Sequence, residues 1–191
     1  MEQFIELFPV LKGVPENELC LLKKAMSIVK IPKNGLFIYP KDTLDTVYFV
    51  KKGVVREFFY ENENENENTT LLLPESPFYF PSMSFSEDSK SIFYVQAIEE
   101  TVLVGFEKRL LLNLANESTA VRRLMFDILE RQVELMGKLR RMPYQKRADV
   151  RYQHLNTIFP GLISRVQGKY VASLLSITPS YLSTLRSNRK L

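Results

Sequence analysis

The chain reads as an α+β protein: an antiparallel β-sandwich or barrel flanked by helices, then one long helix, then a C-terminal helix-turn-helix. Three observations predict this. Six short runs rich in β-branched and aromatic residues follow one another between Lys30 and Phe106, separated by Gly, Pro, Asn or Asp. From Ser118 to Met142, apolar residues recur in alternating steps of four and three. The segment GKYVASLLSITPSYLSTLRSNRKL, Gly168 to Leu191, holds two short helical patterns around a turn.

The first thirty residues read as helical. Phe4, Ile5, Leu7 and Phe8 form one apolar cluster. VPENELCLLKKAM follows, with Pro15 and acidic residues opening a helix whose inward face is Leu19, Leu22 and Met26. The strand runs are KIPKNGLFIYP, TVYFVKKGVVREFFY, TTLLLP, SPFYF, SIFYVQAI and TVLVGF. Their spacing of roughly ten residues suits an antiparallel sandwich or barrel. Asn34-Gly35 and Lys52-Gly53 are turn signals. Glu61 to Asn68, ENENENEN, has no apolar face to bury, and its acids repel one another. It reads as an exposed, mobile hairpin tip. It lacks the glycine and the spaced acids of a calcium loop.

A short helix over Lys108 to Leu114 precedes the long one. Val121, Met125, Ile128, Gln132, Leu135, Leu139 and Met142 take the a and d positions of a heptad. That seam predicts a parallel homodimer, with Gln132 as the polar position that sets register; a helix buried in a monomer is the plainer alternative. A second apolar set, Leu124, Leu129, Val133 and Met136, is assigned to packing on a neighbour within the chain. Pro143 ends this helix. Tyr144 to Phe159 reads as the next, with Ala148, Tyr152, Leu155 and Phe159 inward, and Pro160-Gly161 breaks it. In the helix-turn-helix, Val171, Leu175, Ile177, Leu182 and Leu185 are the apolar positions, and Ala172 is small where two helices cross. Thr178-Pro179 is a helix start: a hydroxyl cap, then proline where no N–H is needed. The helices are predicted at Lys169 to Leu175 and Pro179 to Ser187. The second helix of such a pair is suited to the DNA major groove, whereas an ordinary αα-hairpin would merely pack.

Composition narrows the function. At 191 residues, 45% apolar and 25% charged, the chain suits one large or two small domains. Charge is segregated. From Gly137 onward there are eleven basic residues and one acid, Asp149, a surplus of ten; the whole chain carries +4, so the preceding part is negative by six. A basic end on an acidic body favours a nucleic-acid partner there. Cys20 is the single cysteine and His154 the single histidine. These exclude an intrachain disulfide and a Cys-ligated cluster within one chain, and make a His-based metal site or a catalytic triad a poor reading. No phosphate-binding glycine loop or defensible pair of acids is present, so an enzyme is not expected. No signal peptide or membrane-length apolar run is seen, so a cytoplasmic location is expected.

Three stretches in this order resemble the Crp–Fnr superfamily of catabolite-activator-like transcription regulators, most closely its Bacteroidetes-type branch. IPKNGLFIYPKDTLDTVYFVKKGVVREFFY resembles the first half of a cyclic-nucleotide-binding β-roll, with Gly53 at its turn. VQAIEETVLVGFEK resembles its last strands. RADVRYQHLNTIFPGLISRVQGKYVASLLSITPSYLSTLRSNRK resembles the branch's DNA-binding end. The resemblance covers nearly the whole chain. It implies a β-roll sensor (a jelly roll, or double-stranded β-helix) over residues 1–115, a dimerisation helix over 116–142 and a helix-turn-helix DNA-binding domain over 143–191. The sequence in hand leaves no residues for the wing that follows the reading helix in the best-known members. Implied partners are double-stranded DNA, a second copy of the chain and RNA polymerase, with no membrane.

The resemblance also assigns sites. Pro179, Ser180 and Thr184 fall where base edges are read, and Tyr181 and Ser183 near the DNA backbone. Relatives usually carry Glu and Arg at the Ser180 and Thr184 positions, so the strongest base readers are missing. Lys169, Ser173, Thr178, Arg186, Arg189 and Lys190 are expected at phosphates or the helix end. The family's cyclic AMP cassette, a glycine–glutamate pair followed by Arg-Ser/Thr-Ala, has no counterpart in FYFPSMSFSEDSKSIFYVQAIEE. Ser82, Ser84, Lys90 and Ser91 are the nearest polar candidates for an effector pocket. Cyclic AMP binding in the usual way is expected to be absent, and no cofactor is implied. A dimeric protein-interaction or anti-regulatory module, with specific DNA recognition lost, is the alternative function.

Overall fold

The computed structural model describes residues 11, 14–61, 66–75, 78–79 and 89–187. The apolar cluster at Phe4 to Phe8, Ser82 and Ser84 of the pocket candidates, Arg189, Lys190, and residues 62–65 of the acidic run lie outside them. Eight strands are described: β1 Met26–Ile31, β2 Leu36–Ile38, β3 Thr46–Lys52, β4 Val55–Tyr60, β5 Glu67–Leu73, β6 Phe78–Tyr79, β7 Tyr94–Ala97 and β8 Thr101–Glu107. The helices are α1 Glu16–Lys24, α2 Lys108–Glu117, α3 Thr119–Arg140, α4 Ala148–Ile158, α5 Leu162–Arg165, α6 Gly168–Leu174 and α7 Pro179–Ser187.

The strands form two antiparallel sheets, ordered β1-β8-β3-β6 and β2-β7-β4-β5. This is the predicted roll. Each expected strand run contributes a strand, because alternating side chains bury one face against the other sheet. Val55, Leu73, Val95 and Ala97 of the second sheet meet Val50 and Leu103 of the first inside the roll. The other face of the first sheet, Val47, Phe49, Val104 and Phe106, is covered by Leu22 of α1, Leu111 and Ala115 of α2, and Val121, Leu124 and Ile128 of α3.

Gly53 joins β3 to β4 with φ +103, and an added Cβ would fall 2.4 Å from Thr101 Oγ1. No other residue type fits this turn without displacement. At the Asn34-Gly35 turn the positive φ falls on Asn34, at 64°, as asparagine permits.

Two local expectations are corrected, and one element is added. Helix does not continue to residue 30: α1 stops at Lys24, and Met26–Ile31 pairs residue by residue with Phe106–Thr101 of β8. Cross-strand pairing outweighs the helical pattern there. The helix expected from Tyr144 begins at Ala148, because Arg151 Nη1 holds the carbonyls of Gln145 and Lys146 in the preceding turn. A further one-turn helix, Leu162–Arg165, follows Gly161, whose φ is +79.

The larger correction concerns α3. Its predicted a/d seam is not a free face of the protomer. Val121, Ile128, Gln132 and Met142 are buried within it, and Met125, Leu135 and Leu139 pack partly buried against the same cores. The set assigned to internal packing divides instead: Leu124 is fully buried, while Val133 is 64% exposed. Phe126, in neither set, is 66% exposed. Both stripes repeat in fours and threes, so heptad spacing alone did not tell the inward one from the outward one.

Candidate nucleic-acid interface

The C-terminal head is built around one buried junction. Leu155 and Phe159 of α4, Leu162 and Ile163 of α5, Tyr170, Val171 and Ala172 of α6, Leu175, and Leu182 of α7 belong to the same apolar cluster as the interior of the roll. Ala172 is 1% exposed, and its small side chain suits a close helix crossing. Ser176, at φ 52, turns the chain, and Ile177 N–H returns to Ala172 C=O. Thr178 then caps α7 as predicted: its Oγ1 accepts from Tyr181 N–H at 3.2 Å. Arg151 Nε donates to Leu175 C=O, tying α4 to the turn.

This places α7 on the surface with Leu182 inward and Pro179, Ser180, Tyr181, Ser183 and Thr184 exposed. Most of the hydroxyls are engaged locally. Ser183, Thr184 and Ser187 each donate to the carbonyl four residues back, Pro179, Ser180 and Ser183. Lys169 is exposed, with Nζ over the Tyr170 ring at 4.8 Å. Two other predicted contacts are engaged within the protomer, one inside the head and one between head and roll. Arg186 Nη2 donates to Ile163 C=O. Ser173 Oγ accepts from Thr69 N–H at 2.9 Å and donates to Glu67 C=O, which occupies it at β5.

Beside α7 lies a cleft of about 760 Å³ lined by Lys146, Arg147, Asp149 and Arg151 at the start of α4, with Ile177, Tyr181 and Leu185. Arg147 pairs with Asp149 at 2.6 Å, which holds the Asp149 carboxyl below its ordinary range. Lys146 and Arg147 thus extend the exposed basic surface next to α7. Their signal in the sequence is the charge surplus after Gly137, which by itself points to no single position.

Two cationic clamps fasten the head to the roll, and neither was foreseen. Arg56 on β4 is fully buried. Its guanidinium lies between the rings of Phe58, at 4.1 Å, and Tyr170 of α6, at 3.8 Å. Nε donates to Thr69 Oγ1, and Nη1 to Glu67 and Gln96. Nη2 has no hydrogen-bond partner among the described residues. Burial lowers the Arg56 pKa, while Glu67 opposes the shift. Desolvated cation–π contacts are each worth about 2 kcal/mol, which offsets part of the cost of burying the charge. The second clamp is Arg165 of α5, paired with Glu75 after β5 and Glu99 before β8. Glu75 also accepts from Gly53 N–H at 2.9 Å.

Of the described pocket candidates, Ser91 is buried and its hydroxyl is closed on Phe93: it donates to that C=O and accepts from that N–H. Lys90 is exposed and bridges Thr43 along the backbone. Among the described residues, no group of His, Cys, Asp and Glu is placed to hold a metal ion. No described helix is long and apolar enough to cross a membrane.

No family model and no curated protein sequence matches the chain. Solved structures do. The structure of FixK2 from Bradyrhizobium japonicum covers 85% of this chain and 83% of its own, with TM-score 0.67 and 13% identity. A CooA mutant from Carboxydothermus hydrogenoformans covers 96% and 84%, with TM-score 0.67 and 21% identity. A cyclic nucleotide-binding domain containing protein from Listeria monocytogenes covers 98% and 90%, with TM-score 0.70 and 13% identity. The chain shares the fold of these structures. The likeness to the Listeria monocytogenes protein spans roll, long helix and head together, so it fixes the architecture that presents α7.

Proposed function

We propose that the chain is a homodimeric DNA-binding transcription regulator of the Crp–Fnr type. The observation that carries this reading is the outward presentation of α7, N-capped by Thr178 and beside the basic residues Lys146, Arg147 and Lys169. A helix so presented suits the major groove, and the flanking cations suit phosphates. The similarity to FixK2 and to the global regulator CLP of Xanthomonas campestris supports the class.

Dimerisation is proposed along the stripe of α3 centred on exposed Phe126 and Val133 and flanked by half-buried Leu129 and Met136. These recur in steps of three and four and include the two most exposed apolar residues of that helix. The divisions at 115 and 142 and the role of RNA polymerase as a partner belong to the same reading. Cyclic AMP binding in the usual way is proposed to be absent, since Ser91 is closed on its own loop. Calorimetric titration giving micromolar affinity at the roll would overturn that.

The test of the function is a mobility-shift assay of the purified chain with genomic fragments over a salt series. Binding that selects particular fragments and weakens linearly in log salt is expected. A second reading, a dimeric interaction module that has lost specific recognition, is favoured by the hydroxyls of α7 bonding to their own helix. Uniform binding to all fragments, or none, would support it.

A further inference from the structure

Arg56 does more than fill space. A buried arginine whose Nη2 has no partner among the described residues is costly, so its place in the packing calls for an explanation. Its guanidinium plane is fixed from the roll side by Thr69, Glu67, Gln96 and the Phe58 ring. The ring centroid of Tyr170, on α6, lies 3.8 Å from the carbon of the same guanidinium. A planar cation stacked on a ring constrains separation and tilt together. Tyr170 sits in the first turn of α6, and Val171, Ala172 and Leu175 carry α6 onto Leu182 of α7 in one buried cluster. A carbon added at Gly168 would meet Arg186 and Leu182 of α7 at 3.6 and 3.8 Å, so α7 runs beside the start of α6. The head therefore cannot rotate against the roll without lifting Tyr170 off Arg56.

We propose that Arg56 is a positioning residue for DNA reading: its stack with Tyr170 fixes the angle of each head and so sets the operator half-site spacing that the dimer accepts. The inference rests on the dimeric DNA-reading function above. Each added base pair moves a half-site by about 3.4 Å and turns it by about 34°. A head locked to the roll cannot follow two such steps, whereas a loosened one can.

The test starts from an operator selected from random duplexes with the full chain. Its two half-sites are then brought closer or moved apart by one to three base pairs. Wild type is expected to lose at least about tenfold in affinity at a two-base-pair change. Arg56→Met, which keeps an unbranched stem but removes the guanidinium and leaves Glu67 partly solvated, is expected to lose less than about threefold at the same change. Tyr170→Leu removes the other half of the stack and should behave alike; Tyr170→Phe keeps the ring and should resemble wild type. Thermal unfolding identifies variants that are folded, and a loss of stability alone would not flatten the spacing profile. Folded Arg56→Met or Tyr170→Leu with the sharp wild-type profile overturns the inference and leaves the DNA function standing. A wild type indifferent to spacing also overturns it. A wild type that binds no duplex overturns both.

Discussion

Arg165 grips Glu75 end-on: Nη1 donates to Oε2 at 2.7 Å and Nη2 to Oε1 at 2.6 Å. This is the fork geometry in which arginine binds a carboxylate best. Glu75 receives a third bond from Gly53 N–H, so one carboxylate joins the head to the β3–β4 turn.

The first prediction concerns pH. Arg165 holds the Glu75 pKa down, from 4.5 to about 2. A depressed carboxylate contributes stability that is complete above its unfolded pKa, near 4.5, and lost as pH falls toward 2. Melting temperature should therefore fall through that window, and Glu75→Gln should flatten that part of the profile.

Removing the arginine should cost little at neutral pH. The Arg165 and Glu75 side chains are 35% and 34% exposed, so water screens the pair. Arg165→Ala is expected to destabilise by about 1 kcal/mol in urea unfolding. A cost several times larger would mean that the clamp is more desolvated than its exposure indicates.

Gly53→Ala should be far more damaging. The added carbon would strike Thr101 Oγ1 at a backbone angle that alanine avoids. Equilibrium unfolding is expected to show a loss of about 2–3 kcal/mol.

Two glutamate substitutions sort the faces of α3. Val133→Glu on the outward stripe should leave the protomer folded and shift sedimentation from dimer to monomer. Ile128→Glu, at a position 4% exposed, should unfold the chain instead. If Val133→Glu stays dimeric, the proposed seam is wrong.

Thr178→Ala removes the cap of α7 and should cost about 1 kcal/mol. Circular dichroism melts would measure it; an unchanged melt would mean that water replaces the cap without loss.

Elements were legible in the sequence where one local signal dominated. Thr178-Pro179 marked the start of α7, and the alternating runs marked the strands, because capping and two-residue periodicity are local properties. The two faces of α3 were not, since both carry apolar heptads and only the placement of roll and head decides which turns inward. Arg56 was missed for a related reason. An arginine in a strand reads as a solvated edge residue, and its burial depends on Tyr170, more than a hundred positions away. Ser173 looked free for phosphate because its acceptor and donor lie on β5, equally distant in sequence.

The shared interior of roll and head limits how this chain can be recombined. Leu72 and Val95 sit in the same cluster as Val171 and Leu182. A chimera cut after α3, with another protein's head grafted on, would break that interior and leave Arg56 facing a foreign surface. Its roll and head are not interchangeable modules; to exchange one, evolution or an engineer would have to rewrite the outer surface of β4 and β5 as well.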